Sequence, residues 1–147
     1  MPEISAVSRP FKEAVDYFRN KVNLPTKTYR DIQRGAHTKA FVVAGATKED
    51  LLADFRAAID KAISRGTSLQ EFRKDFDNIV KQHGWSYKGS RGWRSKTIYA
   101  TNIQTAYAAG RYKQMTDPDV LKRRPYWQYL VGDSKKHRKE HLPIKIP

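Results

Sequence analysis

The side chains with the most chemical reach lie in GDSKKHRKEHL, residues 132–142. His137 and His141 are four apart, so a helix would set both imidazoles on one face, with Asp133 one turn back. That spacing suits zinc. Five cations crowd it, however: Lys135, Lys136, Arg138, Lys139 and Lys145. A dication loses affinity in a positive field that only Asp133 and Glu140 offset, so no metal site is expected. A second chemistry is metal-free nucleic-acid cleavage, with a histidine as general acid or base beside a charge-stabilising arginine. It needs a second convergent acid or base. His37 and His83 stand isolated along the chain, and neither a Ser/His/Asp order nor HExxH occurs. A nuclease or toxin domain using His137 and His141 therefore stays as an alternative, and no catalytic residue is assigned. The third reading is structural. Asp133 after Gly132 is a turn residue and a good helix cap. Arg138 and His141 can bond back to a carboxylate or to carbonyls, which leaves the lysines for solvent or phosphates.

Charge sets the field around those histidines. The 147 residues carry 29 Lys and Arg against 15 Asp and Glu, a net of +14. Residues 1–80 hold 14 basic and 11 acidic side chains, whereas 81–147 hold 15 and 4, a net of +11. Balanced charge is usually a solvated face; an excess gathered in one half points to a polyanionic partner. Nucleic acid fits better than an anionic membrane, because the basic half offers no amphipathic helix with a broad apolar face. No apolar run is long enough to span a bilayer. With no cysteine there is neither a disulfide nor a thiolate metal site, and no cofactor is implied.

Periodicity and punctuation predict the elements that carry these groups. Residues 9–23 read as a helix capped by Ser8, with Pro10 in its first turn and Phe11, Val15, Phe18 and Val22 as its apolar stripe. A short helix is expected over 28–35, ended by Gly35. AFVVAG, 40–45, is either a short strand or a buried helical turn. Thr47 can cap a helix over 48–65 with Asp50 as the reciprocal partner, and Gly66 ends it. Ser68 and Glu71 form a capping box for a helix that Gly84 closes. The link between these two helices is so short that they must turn sharply or run antiparallel. Residues 85–94 look like an exposed loop in which Trp85, Tyr87 and Trp93 sit among Lys88, Arg91 and Arg94. Such a mixture can stack bases and neutralise phosphates, or the rings can simply plug the core. A long helix from Ser95 to Met115 follows, with Thr101, Thr105 and Gly110 small enough to admit a neighbour and Pro118 beyond its end. PYWQYLVG, 125–132, alternates like a strand and needs a partner, either AFVVAG or a segment beyond Pro147. The fold class is mainly α with a small β element (α+β): an antiparallel helix pair, a long helix, then a C-terminal strand. Its expected core is Leu52, Phe55, Ile59, Phe72, Phe76, Ile98 and Tyr107. No phosphate-binding loop or single-strand RNA signature appears. A DNA-binding regulator remains an alternative, although the helices over 48–82 are acidic outside.

Three segments in order carry a resemblance: 40–76, AFVVAGATKEDLLADFRAAIDKAISRGTSLQEFRKDF; 98–112, IYATNIQTAYAAGRY; and 126–142, YWQYLVGDSKKHRKEHL. Together they resemble the phage head morphogenesis family, the Mu F-like minor capsid proteins. The likeness marks Thr101, Asn102, Gly110, Trp127, Asp133, Arg138 and His141 as a structural motif. Many relatives have Arg-Thr-Glu where this chain has Ala100-Thr101-Asn102, so an ion pair expected there is missing. The resemblance implies one domain over 1–147, with a helical arm over 1–35, a helical core over 36–116 and a strand with a basic turn over 117–147. It also implies that this is the front part of a longer protein.

The implied function is a non-enzymatic component of the phage head, present in the host cytoplasm during assembly. Its expected partners are the portal protein or capsid interior and packaged double-stranded DNA, with no membrane. DNA would be held without sequence preference by Lys88, Arg91, Arg94, Lys122, Arg123, Arg124, Lys135, Lys136 and Lys139.

Overall fold

The computed structural model describes residues 10–128. The chain divides into two compact units, 1–114 and 115–147.

The first unit opens with α1, Lys12–Arg19, which buries Ala14, Val15 and Phe18. Its N-cap is Phe11, in extended backbone, so Pro10 precedes the helix instead of sitting in its first turn. Ser8 lies outside the described residues. The helix is shorter than the apolar stripe predicts. The chain straightens after Lys21, and Val22–Asn23 becomes β1. β1 pairs in parallel with β2, Ala40–Phe41, in the register Val22 to Ala40 and Asn23 to Phe41. Val22 is consequently 68% exposed and does not extend the buried stripe of α1. The N–H groups of Val22 and Leu24 donate to the carbonyls of Lys39 and Phe41, at 2.9 and 3.1 Å. AFVVAG therefore starts as a strand, and its partner is the exit of α1. Of the strand expected over 125–132, Pro125–Gln128 have neither helical nor strand backbone, and the rest lies outside the described residues.

Between the strands, two short 3-10 helices, Tyr29–Asp31 and Arg34–Thr38, replace the predicted helix over 28–35. Asp31 closes the first by accepting the Thr28 N–H at 2.8 Å. Gly35 lies inside the second and terminates nothing.

α2, Glu49–Arg65, has Lys48 at its N-cap with no side-chain cap bond, so Thr47 stands one residue too early to cap it. Glu49 and Asp50 in its first turn still complement the helix dipole. Gly66 ends α2 in left-handed backbone (φ 71°). α3, Leu69–His83, begins with the expected reciprocal box: Glu71 N–H donates to Ser68 Oγ at 3.3 Å, and Ser68 N–H to Glu71 Oε2 at 2.8 Å. Gly84 closes α3 at φ 58°.

α4, Arg91–Met115, starts four residues before the predicted Ser95. The Ser90 hydroxyl accepts the Trp93 N–H at 3.3 Å, and its carbonyl accepts the Arg94 N–H at 2.9 Å. Arg91 and Arg94 are thus helical residues, not loop residues.

The core joins α1 to α2, α3 and α4. Leu52, Phe55, Ile59, Phe72, Phe76 and Ile98 are buried as predicted, with Phe18 and Phe41 among them and Tyr107 half-buried against them. Gly110 is where α4 meets α1: a Cβ there would fall 2.8 Å from Phe11 Cζ and 2.9 Å from the Ala14 backbone nitrogen. Beside it the Phe11 and Tyr107 rings stack at 5.5 Å. Thr101 and Thr105 face outward, and the Thr105 hydroxyl donates back to the Thr101 carbonyl at 2.6 Å. Asn102 donates in the same way to Ile98, at 2.8 Å.

In the second unit, Pro118 opens a further helix, α5, Pro118–Arg123, and Asp117 caps it by accepting the Asp119 N–H at 2.9 Å. This helix is absent from the sequence reading, although Asp-Pro is a good start signal.

Candidate nucleic-acid interface

The mixture of aromatics and cations over 85–94 resolves into an inner layer and an outer layer. Trp85 belongs to the inner one. Its ring lies 5.2 Å from Phe55 and 5.2 Å from Tyr87, and its indole N–H donates to the Gly45 carbonyl at 3.1 Å. Tyr87 in turn meets Phe76 edge-on at 5.3 Å. For these two rings the core-plugging reading holds. Trp93 is outside, 56% exposed and laid over Gly89, whose φ of 90° and lack of a side chain make room for it.

The three cations divide similarly. Lys88 is exposed. Arg91 makes a two-point pair with Asp77 of α3, 2.7 Å for each bond. That pairing holds the Asp77 carboxyl below its usual range and raises Arg91. Arg94 turns inward. It donates through Nη2 to the Ala44 carbonyl, sits 5.5 Å above the Trp85 ring, and is pushed down by burial. Two arginines expected to hold phosphate therefore also serve the fold.

The acidic outer faces of α2 and α3 are used in the same internal way. Asp60 pairs with Arg19 of α1 at 2.8 Å, and Lys61 with Asp75 at 3.2 Å. His83, isolated along the sequence, meets Asp54 at 2.6 Å and lies 3.8 Å from Asp50. This clamp ties the end of α3 to the start of α2, four residues apart on one helix face, a pairing no local spacing reveals. His37 stacks on Tyr29 at 4.2 Å. No group of His, Cys, Asp and Glu able to hold a metal occurs among the described residues.

The structure places several of the expected cations on open surface. α4 carries five Lys and Arg and no Asp or Glu, and its Lys96 and Arg111 are exposed. In the second unit Lys122, Arg123 and Arg124 are exposed, with Lys122 reaching Asp119 at 3.5 Å. Trp127 is 53% exposed. Asp133, Lys135, Lys136, His137, Arg138, Lys139 and His141 lie outside the described residues. No described helix is long and apolar enough to cross a membrane.

Comparison with known proteins adds the lineage. No family model matches the chain. No solved structure matches it. Two curated proteins do. One is the F protein of Escherichia phage Mu, named for capsid assembly, 36% identical over 154 aligned residues that cover 95% of this chain. The other is the F protein of the Mu-like prophage FluMu in Haemophilus influenzae, 33% identical over 133 residues and 84% of the chain. The chain spans about a third of the length of each, 34% and 31%. Similarity at this level runs along nearly the whole of this chain and corresponds to about a third of each of these Mu F proteins.

Proposed function

We propose that this protein is a structural component of phage head assembly that grips packaged duplex DNA without reading its sequence. The observation that carries this is the pairing of two things: relatives named for capsid assembly, and a positive excess concentrated in residues 81–147, where 15 basic side chains face 4 acidic ones. Counterion release from the phosphates then drives binding, so affinity is sensitive to salt and indifferent to sequence. Lys88, Lys122, Arg123 and Arg124 are exposed and suited to phosphate contact, with Lys135, Lys136 and Lys139 completing the set. Toward duplex DNA, Arg91 and Arg94 contribute field more than contact, because Arg91 is paired with Asp77 and Arg94 is turned inward to the Ala44 carbonyl. The more evenly charged front half is left to dock on the portal or on the capsid interior. The protein belongs to the phage head and performs no bond-breaking step.

The experiment is a salt titration of binding to duplex DNA of unrelated sequences. With about six phosphates contacted, log K falls against log salt with a slope near −5, the same for every sequence. A flat titration, or a footprint at one defined sequence, overturns the reading. Labelled DNA and RNA incubated with the protein, with and without magnesium, stay intact; cleavage abolished by His141→Ala would establish the nuclease alternative.

A further inference from the structure

On the first unit, the turn at residues 27–29, the turn at 44–45 and the segment 86–88 enclose a pocket of about 330 Å³ with Arg94 in its wall. That volume is in the range of small-ligand sites. None of its lining side chains is a carboxylate, and three are cations: Lys27, Lys88 and Arg94.

Arg94 is the unusual member. Arg19 and Arg91 each face an aspartate, whereas Arg94 is half-buried against a carbonyl and the Trp85 ring. Its Nε donor has no hydrogen-bond partner among the described residues. A partly desolvated cation without a counter-anion is costly, and an anion arriving in the pocket offsets that cost. Two of the backbone oxygens nearby are already engaged: Ala44 accepts from Arg94, and Gly45 from the Trp85 indole. Asp31, two residues past Tyr29, places a carboxylate beside Lys27. Its Oδ2 is taken by the N–H groups of Lys27 and Thr28, at 2.9 and 2.8 Å, and it forms no ion pair with Lys27. Its charge offsets part of the lysine's, which leaves the pocket positive.

Ring surface is the second component. Tyr29, in the wall, is 63% exposed and is backed by His37 stacked 4.2 Å behind it. A braced, outward aromatic beside cations is the arrangement on which unpaired bases stack.

We infer that this pocket binds one nucleotide unit of an unpaired strand, with its phosphate among Lys27, Lys88 and Arg94 and its base stacked on Tyr29. The inference rests on the DNA-gripping reading and adds to it a site for a strand end or unpaired stretch, which a duplex surface does not need.

The test is calorimetric titration of the full chain with thymidine monophosphate, with inorganic phosphate, with oligothymidylate and with a duplex of equal length. Thymidine monophosphate and oligothymidylate bind saturably to the wild type. Lys27→Ala and Lys88→Ala each weaken the monophosphate several-fold. Tyr29→Ala weakens oligothymidylate about tenfold, the value of one lost stacking contact, and leaves inorganic phosphate unchanged. All three side chains are exposed, so an unchanged melting temperature certifies the fold of each variant. Steep, salt-dependent duplex binding together with no saturable monophosphate binding, or with variants equal to wild type, overturns the pocket and spares the broader function. Loss of duplex binding overturns that function itself.

Discussion

Arg91 of α4 and Asp77 of α3 are joined by two parallel bonds, Nε to Oδ1 and Nη2 to Oδ2, both 2.7 Å. The pair ties the first turn of the long helix to the middle of its neighbour. It also takes a cation out of competition for phosphate. Both partners are about half exposed, so solvent screens the pair and the coupling is modest.

Releasing that cation should therefore help DNA binding. Asp77→Asn removes one negative charge and frees Arg91, and duplex affinity at low salt rises. Arg91→Ala lowers affinity less than Arg123→Ala does. Parallel salt titrations of the three variants check the order.

Arg94 should matter to stability first. Arg94→Ala removes a charged donor from the Ala44 carbonyl and the cover from Trp85, at about 2 kcal/mol. Trp85→Ala costs about 3 kcal/mol, because that ring touches Phe55, Phe76 and Tyr87. Urea unfolding measures both.

Gly110→Ala tests the contact of α4 with α1. Helix propensity alone favours alanine by about 1 kcal/mol. The new methyl, however, meets an aromatic carbon at 2.8 Å and a backbone nitrogen at 2.9 Å, and the backbone cannot give way. Overpacking of about 1–3 kcal/mol wins, and the variant melts lower. Gly92→Ala, with nothing within 4 Å, is unharmed or slightly stabilised.

Acid should unfold the first unit through identifiable carboxylates. Glu71 is held below its usual range by the Ser68 N–H and then by the Ser68 hydroxyl; Asp77 is held there by Arg91. A depressed folded pKa binds fewer protons than the unfolded chain does. The stability is thus complete above the unfolded values, near pH 4, and is lost as pH falls through the folded ones. Ser68→Ala lowers stability by about 1 kcal/mol at neutral pH and flattens the acid limb. Thermal melts across that window read both effects.

The pattern of success along the chain follows the range of the interactions. Sequence alone determined α2 and α3, their glycine ends and the Ser68–Glu71 box, because apolar spacing and caps operate within four residues. It also determined the positive back half and the likeness to the Mu F proteins, which need no coordinates. Tertiary structure decided the rest. Val22 leaves its helical stripe because Lys39, far along the chain, offers its N–H a carbonyl, as Phe41 does for Leu24. Arg94 turns inward because Ala44 and Trp85 wait there, and His83 gains two aspartates from another helix. A side chain's type states which bonds it can make. Which of them it makes depends on what folding brings within about 3 Å, and that distance is not written in any local spacing.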